Sequence, residues 1–304
     1  MAGKEVRTRK ALLIIALAVD LFCLVYFKYA AFFLENWGKL TGQSFPLVKL
    51  ILPLGVSFYL FQSAGYLIDV CRGAAAEKNL VDYAAFTIAF PQLTMGPILR
   101  YDEWRGALKE RTLSREDAFL GFELFAVGLC FKVLLADQLA PLWASLERIG
   151  YGYLSTPLAW LGAASYSLQL YFDFSGYSDM AIGLGRVLGF HFVENFNYPY
   201  LSRSVTEFWR RWHISLGSWF RDYVYIPMGG SRVSRWRWVL NILTVWMLTG
   251  LWHGAAWNFV LWGLLFAALL LAEKWIPALQ RLPGVLRHGY VLLAVGLSFV
   301  LFNA

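Results

Sequence analysis

Residues 238–272 read WVLNILTVWMLTGLWHGAAWNFVLWGLLFAALLLA and contain no Asp, Glu, Lys or Arg. At about 1.5 Å per residue, one straight helix of this length would exceed the roughly 30 Å hydrocarbon layer of a membrane. The stretch therefore predicts two membrane-embedded helices joined by a break. Because glycine loosens a helix, we expect the break at residues 250–254, which read GLWHG.

The composition of the whole chain extends this prediction to all 304 residues. Hydrophobic residues make up 59% of the chain and charged residues only 15%, whereas a soluble domain carries roughly 25% charged residues. These figures predict an all-α, polytopic membrane protein and exclude disordered, collagen-like and coiled-coil chains. The net charge of +7 then indicates basic cytoplasmic loops rather than nucleic-acid binding.

Further apolar segments divide the chain into predicted spans. Four spans are predicted at residues 11–34, 47–68, 118–136 and 157–180. Residues 83–99 are apolar but interrupted by Pro91, Gly96 and Pro97, so they predict a re-entrant or kinked element. Residues 290–304 are expected to be too short to cross. Without an internal repeat, residues 1–304 are predicted to form one integral domain, with further helices expected in a longer chain.

The arginines predict the orientation in the membrane. Residues 186–237 contain eight arginines, three acids and no uninterrupted span. If the N-terminus is cytoplasmic, alternating spans place residues 69–117 and 186–237 in the cytoplasm and the arginine-poor residues 137–156 outside. This arrangement satisfies the positive-inside rule.

His253 is the sharpest candidate for chemistry, because it is the one titratable side chain in the uncharged stretch. A polar group at membrane depth is costly and indicates a function by default. A near-neutral imidazole can take a proton from a hydroxyl and return it to a leaving group. The alternative is a structural histidine that bonds a neighbouring carbonyl and holds two half-helices together.

His213 lies in residues 207–222, which project as one amphipathic helix with aromatic side chains on one face and arginines opposite. His213 is expected just beyond the apolar edge. Such a helix is typical of the membrane interface, where arginines face anionic headgroups. The functional alternative has the arginines binding a phosphorylated donor while His213 lines a cavity.

Polar side chains also crowd residues 166–179, including Asp173 and Asp179. They predict either a hydrogen-bonded network that fixes helix positions or contact with a substrate. No metal site is expected, because the chain has no HExxH motif and its three cysteines are far apart. The chain also lacks the motifs of ATPases and of serine hydrolases.

Six motifs together resemble those of the membrane-bound O-acyltransferase (MBOAT) family. They are residues 90–101 (FPQLTMGPILRY), 171–183 (YFDFSGYSDMAIG), 194–200 (ENFNYPY), 207–216 (EFWRRWHISL), 221–230 (RDYVYIPMGG) and 250–257 (GLWHGAAW). The resemblance covers about residues 52–263. The IPMGG continuation favours the family's polysaccharide O-acetylation branch, and because members are usually longer, this chain is expected to be their core.

This resemblance implies a ring of transmembrane and re-entrant helices around a central tunnel. It implies an enzyme that moves an acetyl group from cytoplasmic acetyl-CoA, or another acetyl thioester, across the membrane for O-acetylation of an exported polysaccharide, alginate being favoured. His253 matches the family's catalytic histidine and His213 its second functional histidine. Donor-binding or tunnel-lining roles are expected for Asp173, Asp179, Arg210, Arg211, Arg221, Trp252 and Asn258.

The same resemblance gives the expected setting and partners. We expect no bound cofactor, a bacterial inner-membrane location, contact with membrane lipid, a polysaccharide acceptor and a periplasmic acetyltransferase that carries the acetyl group onward. The alternatives are the D-alanyl, cellulose and peptidoglycan branches, or a non-catalytic component of exopolysaccharide export. A transporter should show paired, similarly interrupted halves, and the sequence has no such repeat.

Overall fold

The computed structural model describes residues 2–45 and 52–304. Within them there is no β-strand, and Phe196 and Trp212 form an isolated bridge. The all-α prediction is therefore confirmed. Residues 47–51 of the predicted second span lie outside the described residues, and the rest of that span is helical from Val56.

The described residues form fourteen α-helices: α1 (Ala2–Leu24), α2 (Ala30–Thr41), α3 (Val56–Arg72), α4 (Leu80–Ile88), α5 (Tyr101–Glu110), α6 (Arg115–Cys130), α7 (Asp137–Ile149), α8 (Thr156–Val187), α9 (Val205–Arg211), α10 (Ile214–Phe220), α11 (Arg235–His253), α12 (Trp257–Trp275), α13 (Pro277–Arg281) and α14 (Gly284–Asn303). Turns of π-helix join α1 to α2 (Val25–Tyr29) and α6 to α7 (Phe131–Ala136), and another follows α10 (Arg221–Tyr225).

Four helical runs in the described part of the chain are long and apolar enough to cross a membrane. They are Lys10–Thr41, Arg115–Ile149, Trp257–Trp275 and Gly284–Asn303. The chain is thus a multi-pass membrane protein. The predicted spans at residues 11–34 and 118–136 lie inside the first two of these runs.

Two boundary predictions were wrong. The third span does not end at residue 136, because the π-helical turn carries the helix on into α7 and leaves only residues 150–155 as a connection to α8. The last helix is not too short to cross, because it starts at Gly284 and has 20 residues. In both places polar residues inside a helix, such as Arg287, looked like boundaries in the sequence.

The predicted broken elements are confirmed. Helix α11 ends at His253, residues 254–256 are not helical, and α12 begins at Trp257. Helix α4 ends at Ile88, and an irregular segment containing Pro91, Gly96 and Pro97 leads to α5. Both breaks bring side chains to the middle of the molecule.

The helices pack against one another in pairs around that middle. Helix α6 packs on α8, α11 on α12, and α1 on α3, while α14 contacts both α8 and α12. Glycines allow close approach of α11 and α12: an added Cβ at Gly250 would lie 2.3 Å from the carbonyl oxygen of Phe259, and one at Gly263 2.3 Å from that of Trp246. The break after α11 is therefore held in a tightly packed helix pair.

Candidate active site

His253 lies at the C-terminal end of α11, where the chain leaves the helix. Its ring is surrounded edge-on by three aromatic rings, with centroids 4.9 Å (Trp252), 5.1 Å (Trp262) and 5.1 Å (Phe302) away. The side chain is only half-buried, and neither ring nitrogen has a hydrogen-bond partner among the described residues. Within the described part of the chain, His253 therefore does not make the hydrogen bond to a neighbouring carbonyl that a purely structural histidine would make.

The half-buried face of His253 borders a central cavity of about 260 Å³. Its lining comes from segments spread over the chain: Lys28, Ser57, Phe58, Thr94, Met95, Leu170, Phe174, Trp212, Trp252, His253, Trp262, Phe299 and Phe302. Most of this wall is apolar, so a reacting group beside His253 would be shielded from water. Shielding of this kind strengthens electrostatic interactions.

His213 is placed differently from its predicted position. Residues 207–222 do not form one helix, because α9 ends at Arg211, α10 begins at Ile214, and His213 between them has left-handed backbone angles (φ 47°, ψ 54°). The imidazole is not at the edge of an apolar face. It is buried, with 2% of its surface exposed.

Asn195 holds the break between α9 and α10 in place. Its carboxamide oxygen accepts hydrogen bonds from the backbone N–H (3.1 Å) and the hydroxyl (2.9 Å) of Ser215, and its carbonyl accepts one from the Ile214 N–H (3.0 Å). The Asn195 side chain also donates to the Ser178 hydroxyl of α8 at 3.1 Å. The motif at residues 194–200 thus fixes the histidine of the following motif.

His213 lines a second cavity, the lateral cavity, and lies close to the central cavity. The lateral cavity, about 590 Å³, is lined by His213, Arg210, Arg221 and parts of α10 and α11. The His213 ring lies 4.7 Å from Phe174 and 5.7 Å from Trp252, both of which also line the central cavity. These two aromatic side chains therefore separate His213 from the cavity of His253.

The buried Nε2 of His213 has no hydrogen-bond partner among the described residues. A buried polar atom without a partner is costly and points to a group that the site is built to receive. Trp252, predicted as a tunnel-lining residue, lies between the two histidines and contacts both rings.

A third cavity, the basic chamber of about 1170 Å³, adjoins the lateral cavity. The two share Thr206, Arg210, Tyr225, Ile242 and Leu270. The chamber collects five cations, Arg203, Arg210, Arg235, Lys274 and Arg287. Its one carboxylate, Glu273, binds the start of α9. It accepts hydrogen bonds from the Val205 N–H (2.5 Å), the Thr206 N–H (3.1 Å) and the Thr206 hydroxyl (2.9 Å).

The three predicted donor-binding arginines have different surroundings. Arg210 is exposed to both the lateral cavity and the basic chamber, and Arg221 lines the lateral cavity. Arg211 lines neither; it pairs with Glu207 at 2.9 Å and donates to the Asn197 carbonyl at 3.2 Å. Arg211 therefore serves the local fold.

Arg221 also contacts an acid. It donates to both carboxylate oxygens of Asp222, at 2.7 and 3.0 Å, and Arg100 pairs with the same carboxylate. The Arg221 guanidinium, helped by Arg100, holds the pKa of Asp222 below its usual range. This ionised carboxylate fixes the π-helical turn that follows α10.

The remaining predicted residues are not brought into the central cavity. Asp173 turns away toward the π-helical turn between α6 and α7 and pairs there with Lys132 at 2.6 Å. Asp179 is half-buried on α8 and lines none of the three cavities. Asn258 donates to the Phe302 carbonyl at 2.8 Å and so ties α12 to α14 behind the cavity wall.

Sequence reasoning missed Lys28 and the cations from helices α11, α12 and α14. Lys28 lies in the π-helical turn Val25–Tyr29 and lines the central cavity with His253. A signal existed, because Lys28 is the one Lys or Arg in the predicted span at residues 11–34. Within the described residues, no three His, Cys, Asp or Glu side chains come together as metal ligands would.

Comparison with known proteins gives a consistent assignment. Residues 17–304 match the model of the family described as MBOAT, membrane-bound O-acyltransferase. The chain is 43% identical to a probable alginate O-acetylase of Azotobacter vinelandii, with 100% of this chain and 62% of that protein covered. A protein of the same description from Pseudomonas aeruginosa is also 43% identical, with 100% and 59% covered. A peptidoglycan O-acetyltransferase of Helicobacter pylori is 35% identical, with 96% and 62% covered. The chain thus spans about 60% of the length of these relatives.

Proposed function

The chain belongs to the membrane-bound O-acyltransferase family, and from this premise we propose that it transfers an acetyl group from a cytoplasmic thioester to a hydroxyl. The purpose is O-acetylation of an exported polysaccharide. Alginate is the first choice of polymer, because the relatives at 43% identity carry that description. The relative at 35% identity makes peptidoglycan the second choice.

One observation carries the proposal: the unpaired imidazole of His253 borders a mostly apolar cavity at the break between α11 and α12. As a general base, His253 takes the proton of the acceptor hydroxyl while the oxygen attacks the thioester carbonyl carbon. When the carbon–sulfur bond breaks, the same imidazole returns the proton to the departing thiolate. General base catalysis of this kind contributes roughly 10² to 10⁴ in rate.

The basic chamber supports an anionic donor such as acetyl-CoA or another phosphate-bearing acetyl thioester. Its arginines provide planar, multidentate donors that match phosphate oxygens. Arg210 lines both this chamber and the lateral cavity, and His213 lies at the inner end of the lateral cavity. We assign His213 the role of receiving or positioning the donor's reactive end, since its Nε2 has no other partner in the described residues.

The cellular setting follows from the same proposal. The protein would lie in the bacterial inner membrane with its N-terminus and the basic chamber on the cytoplasmic side, where thioester donors are made. The acetyl group would leave on the opposite side toward a periplasmic acetyltransferase and the polysaccharide. No nucleic acid and no resident cofactor takes part.

The direct test is the ester-linked acetyl content of exported polysaccharide in a strain that lacks the gene. The strain is complemented with the parent gene, His253→Ala, or His191→Ala, a matched loss of an imidazole at an exposed position outside the cavities. With membrane levels equalised by blot, we expect His253→Ala to lower acetylation at least 10²-fold at unchanged polymer yield. His191→Ala should stay within twofold of the parent.

Other outcomes would redirect the proposal. Normal acetylation in the His253→Ala strain would contradict general base catalysis by His253. Loss of the polymer itself, rather than of its acetyl groups, would favour a non-catalytic component of export.

A further inference from the structure

Lys28 is the charged side chain that lies in the same cavity as His253. Its ammonium donates to the Ser57 hydroxyl at 3.1 Å and to the backbone carbonyl of Trp252, the residue directly before His253. Nζ also lies 5.9 Å from the centroid of the Trp252 ring. The cation is thus fixed by contacts on both sides of the cavity.

The surroundings of Lys28 leave its charge uncompensated. Among the described residues no carboxylate lies within ion-pair distance of Nζ, and the cavity wall is mostly aromatic and aliphatic. An ammonium has three N–H donors, and Ser57 and Trp252 take two of them. One donor therefore remains for a group inside the cavity. A half-buried cation without a counterion in apolar surroundings is expensive, which argues against a merely incidental position.

A neighbouring contact shows that holding the end of α11 does not require a charge. The Tyr29 hydroxyl donates to the backbone carbonyl of Leu251, one residue earlier in α11 than the carbonyl bound by Lys28. Helix termini leave carbonyls that need donors, and a neutral hydroxyl is able to satisfy such a carbonyl. Binding the carbonyls at the end of α11 therefore does not explain why residue 28 carries a positive charge.

We propose that Lys28 is a catalytic residue that stabilises the negative charge formed on the thioester carbonyl oxygen during acyl transfer, a role that rests on the function proposed above. His253 takes the proton of the acceptor hydroxyl, whose oxygen bonds to the carbonyl carbon. The electron pair of the carbonyl moves to its oxygen, which meets the free N–H of the ammonium. As the pair returns, the carbon–sulfur bond breaks and His253 gives its proton to sulfur, leaving an ester and a thiol.

The cavity makes such an interaction effective. A fixed donor in apolar surroundings needs no reorganisation when charge develops, so it acts more strongly than it would in water. Loss of a single donor to such an oxyanion typically lowers turnover by about 10²- to 10³-fold. Ser57 and the Trp252 carbonyl position the ammonium without taking part.

The experiment measures ester-linked acetyl per mass of exported polysaccharide in the complemented strain, at equal membrane levels. Lys28→Gln keeps N–H donors without the charge, and we expect acetylation to fall about 10²-fold. Lys28→Arg keeps the charge and should recover at least a tenth of the parent value. Tyr29→Phe removes the neighbouring contact to the end of α11 and should stay within threefold of the parent.

The outcomes separate this inference from the proposed function. If His253→Ala keeps normal acetylation, the proposed mechanism fails and the role of Lys28 fails with it. If His253→Ala loses acetylation but Lys28→Gln keeps it, only the role of Lys28 is overturned. The role of Lys28 would also be overturned if Lys28→Gln and Tyr29→Phe lost acetylation equally and the melting temperatures of the purified proteins fell equally. If Lys28→Gln does not accumulate, Lys28→Arg decides: normal accumulation without acetylation counts against the proposal.

Discussion

The backbone of His213 decides where its imidazole lies. The positive φ values of His213 (47°) and Tyr198 (45°) are uncommon for residues other than glycine. At His213 this angle separates α9 from α10 and sends the ring into the interior, where it contacts Phe174 and Trp252. A continuous helix over this segment would leave the ring near the edge of an amphipathic surface. One unusual dihedral pair thus converts an interfacial histidine into a buried one.

We expect His213→Val to be less stable than His213→Asn by about 1–2 kcal/mol, because asparagine adopts left-handed angles and a β-branched residue resists them. Both variants remove the imidazole, so the difference between their stabilities measures the cost of the left-handed backbone angles. The check is thermal unfolding of the purified proteins in detergent. Tyr198→Val and Tyr198→Asn provide the control, since Tyr198 has similar angles but an exposed side chain. Equal melting temperatures within each pair would contradict this account of the break.

At the scale of elements, the pair α11 and α12 sets the position of His253. The two helices approach so closely that a Cβ added at Gly250 or Gly263 would collide with backbone atoms of the partner helix. The break at residues 254–256 then directs the last residue of α11 toward the central cavity rather than toward lipid. Because His253 ends its helix, any change in helix spacing moves the imidazole directly.

Gly250→Ala should therefore destabilise the protein by roughly 1–3 kcal/mol and lower acetylation, since the added Cβ would meet the Phe259 carbonyl oxygen at 2.3 Å. Gly289→Ala on α14 is the matched control, because nothing lies within 4 Å of its added Cβ. Alanine favours a helix over glycine, so this control should be neutral or stabilising. Melting temperature and ester-linked acetyl are measured for both variants. A Gly250→Ala protein as stable as the Gly289→Ala protein would show that the close approach has no consequence.

At the scale of the whole molecule, the proposed function requires α8 to connect the two sides of the membrane. Its 32 residues extend about 48 Å at 1.5 Å per residue, enough to cross a bilayer. Residues 150–155 precede its first turn, and the arginine-rich segment that begins at residue 186 includes its end. The chemistry proposed here needs these two ends on opposite sides, with the basic chamber facing the thioester donor.

The topology can be measured by labelling single cysteines in intact cells with a membrane-impermeant maleimide, after Cys23, Cys71 and Cys130 are replaced by serine. Tyr153→Cys, at a side chain that is 87% exposed before α8, should react from outside. Arg232→Cys, in the exposed connection to α11, should react only after the cells are permeabilised. The reverse pattern would place the basic chamber outside the cell and remove the donor route.

The sequence by itself determined the membrane embedding, the helical class and a break close to His253, which the structure places directly after that residue. These features depend on local hydropathy, on glycine spacing and on the cost of a polar group at membrane depth, all of which can be read along the chain. Only the tertiary structure decided that His213 is buried against Phe174 and Trp252, that Asp173 turns to Lys132, and that Lys28 binds a carbonyl 224 residues away. The physical reason is that a side chain's charge partners and burial come from helices distant in sequence, and nothing in the order of residues states which of these will pack together.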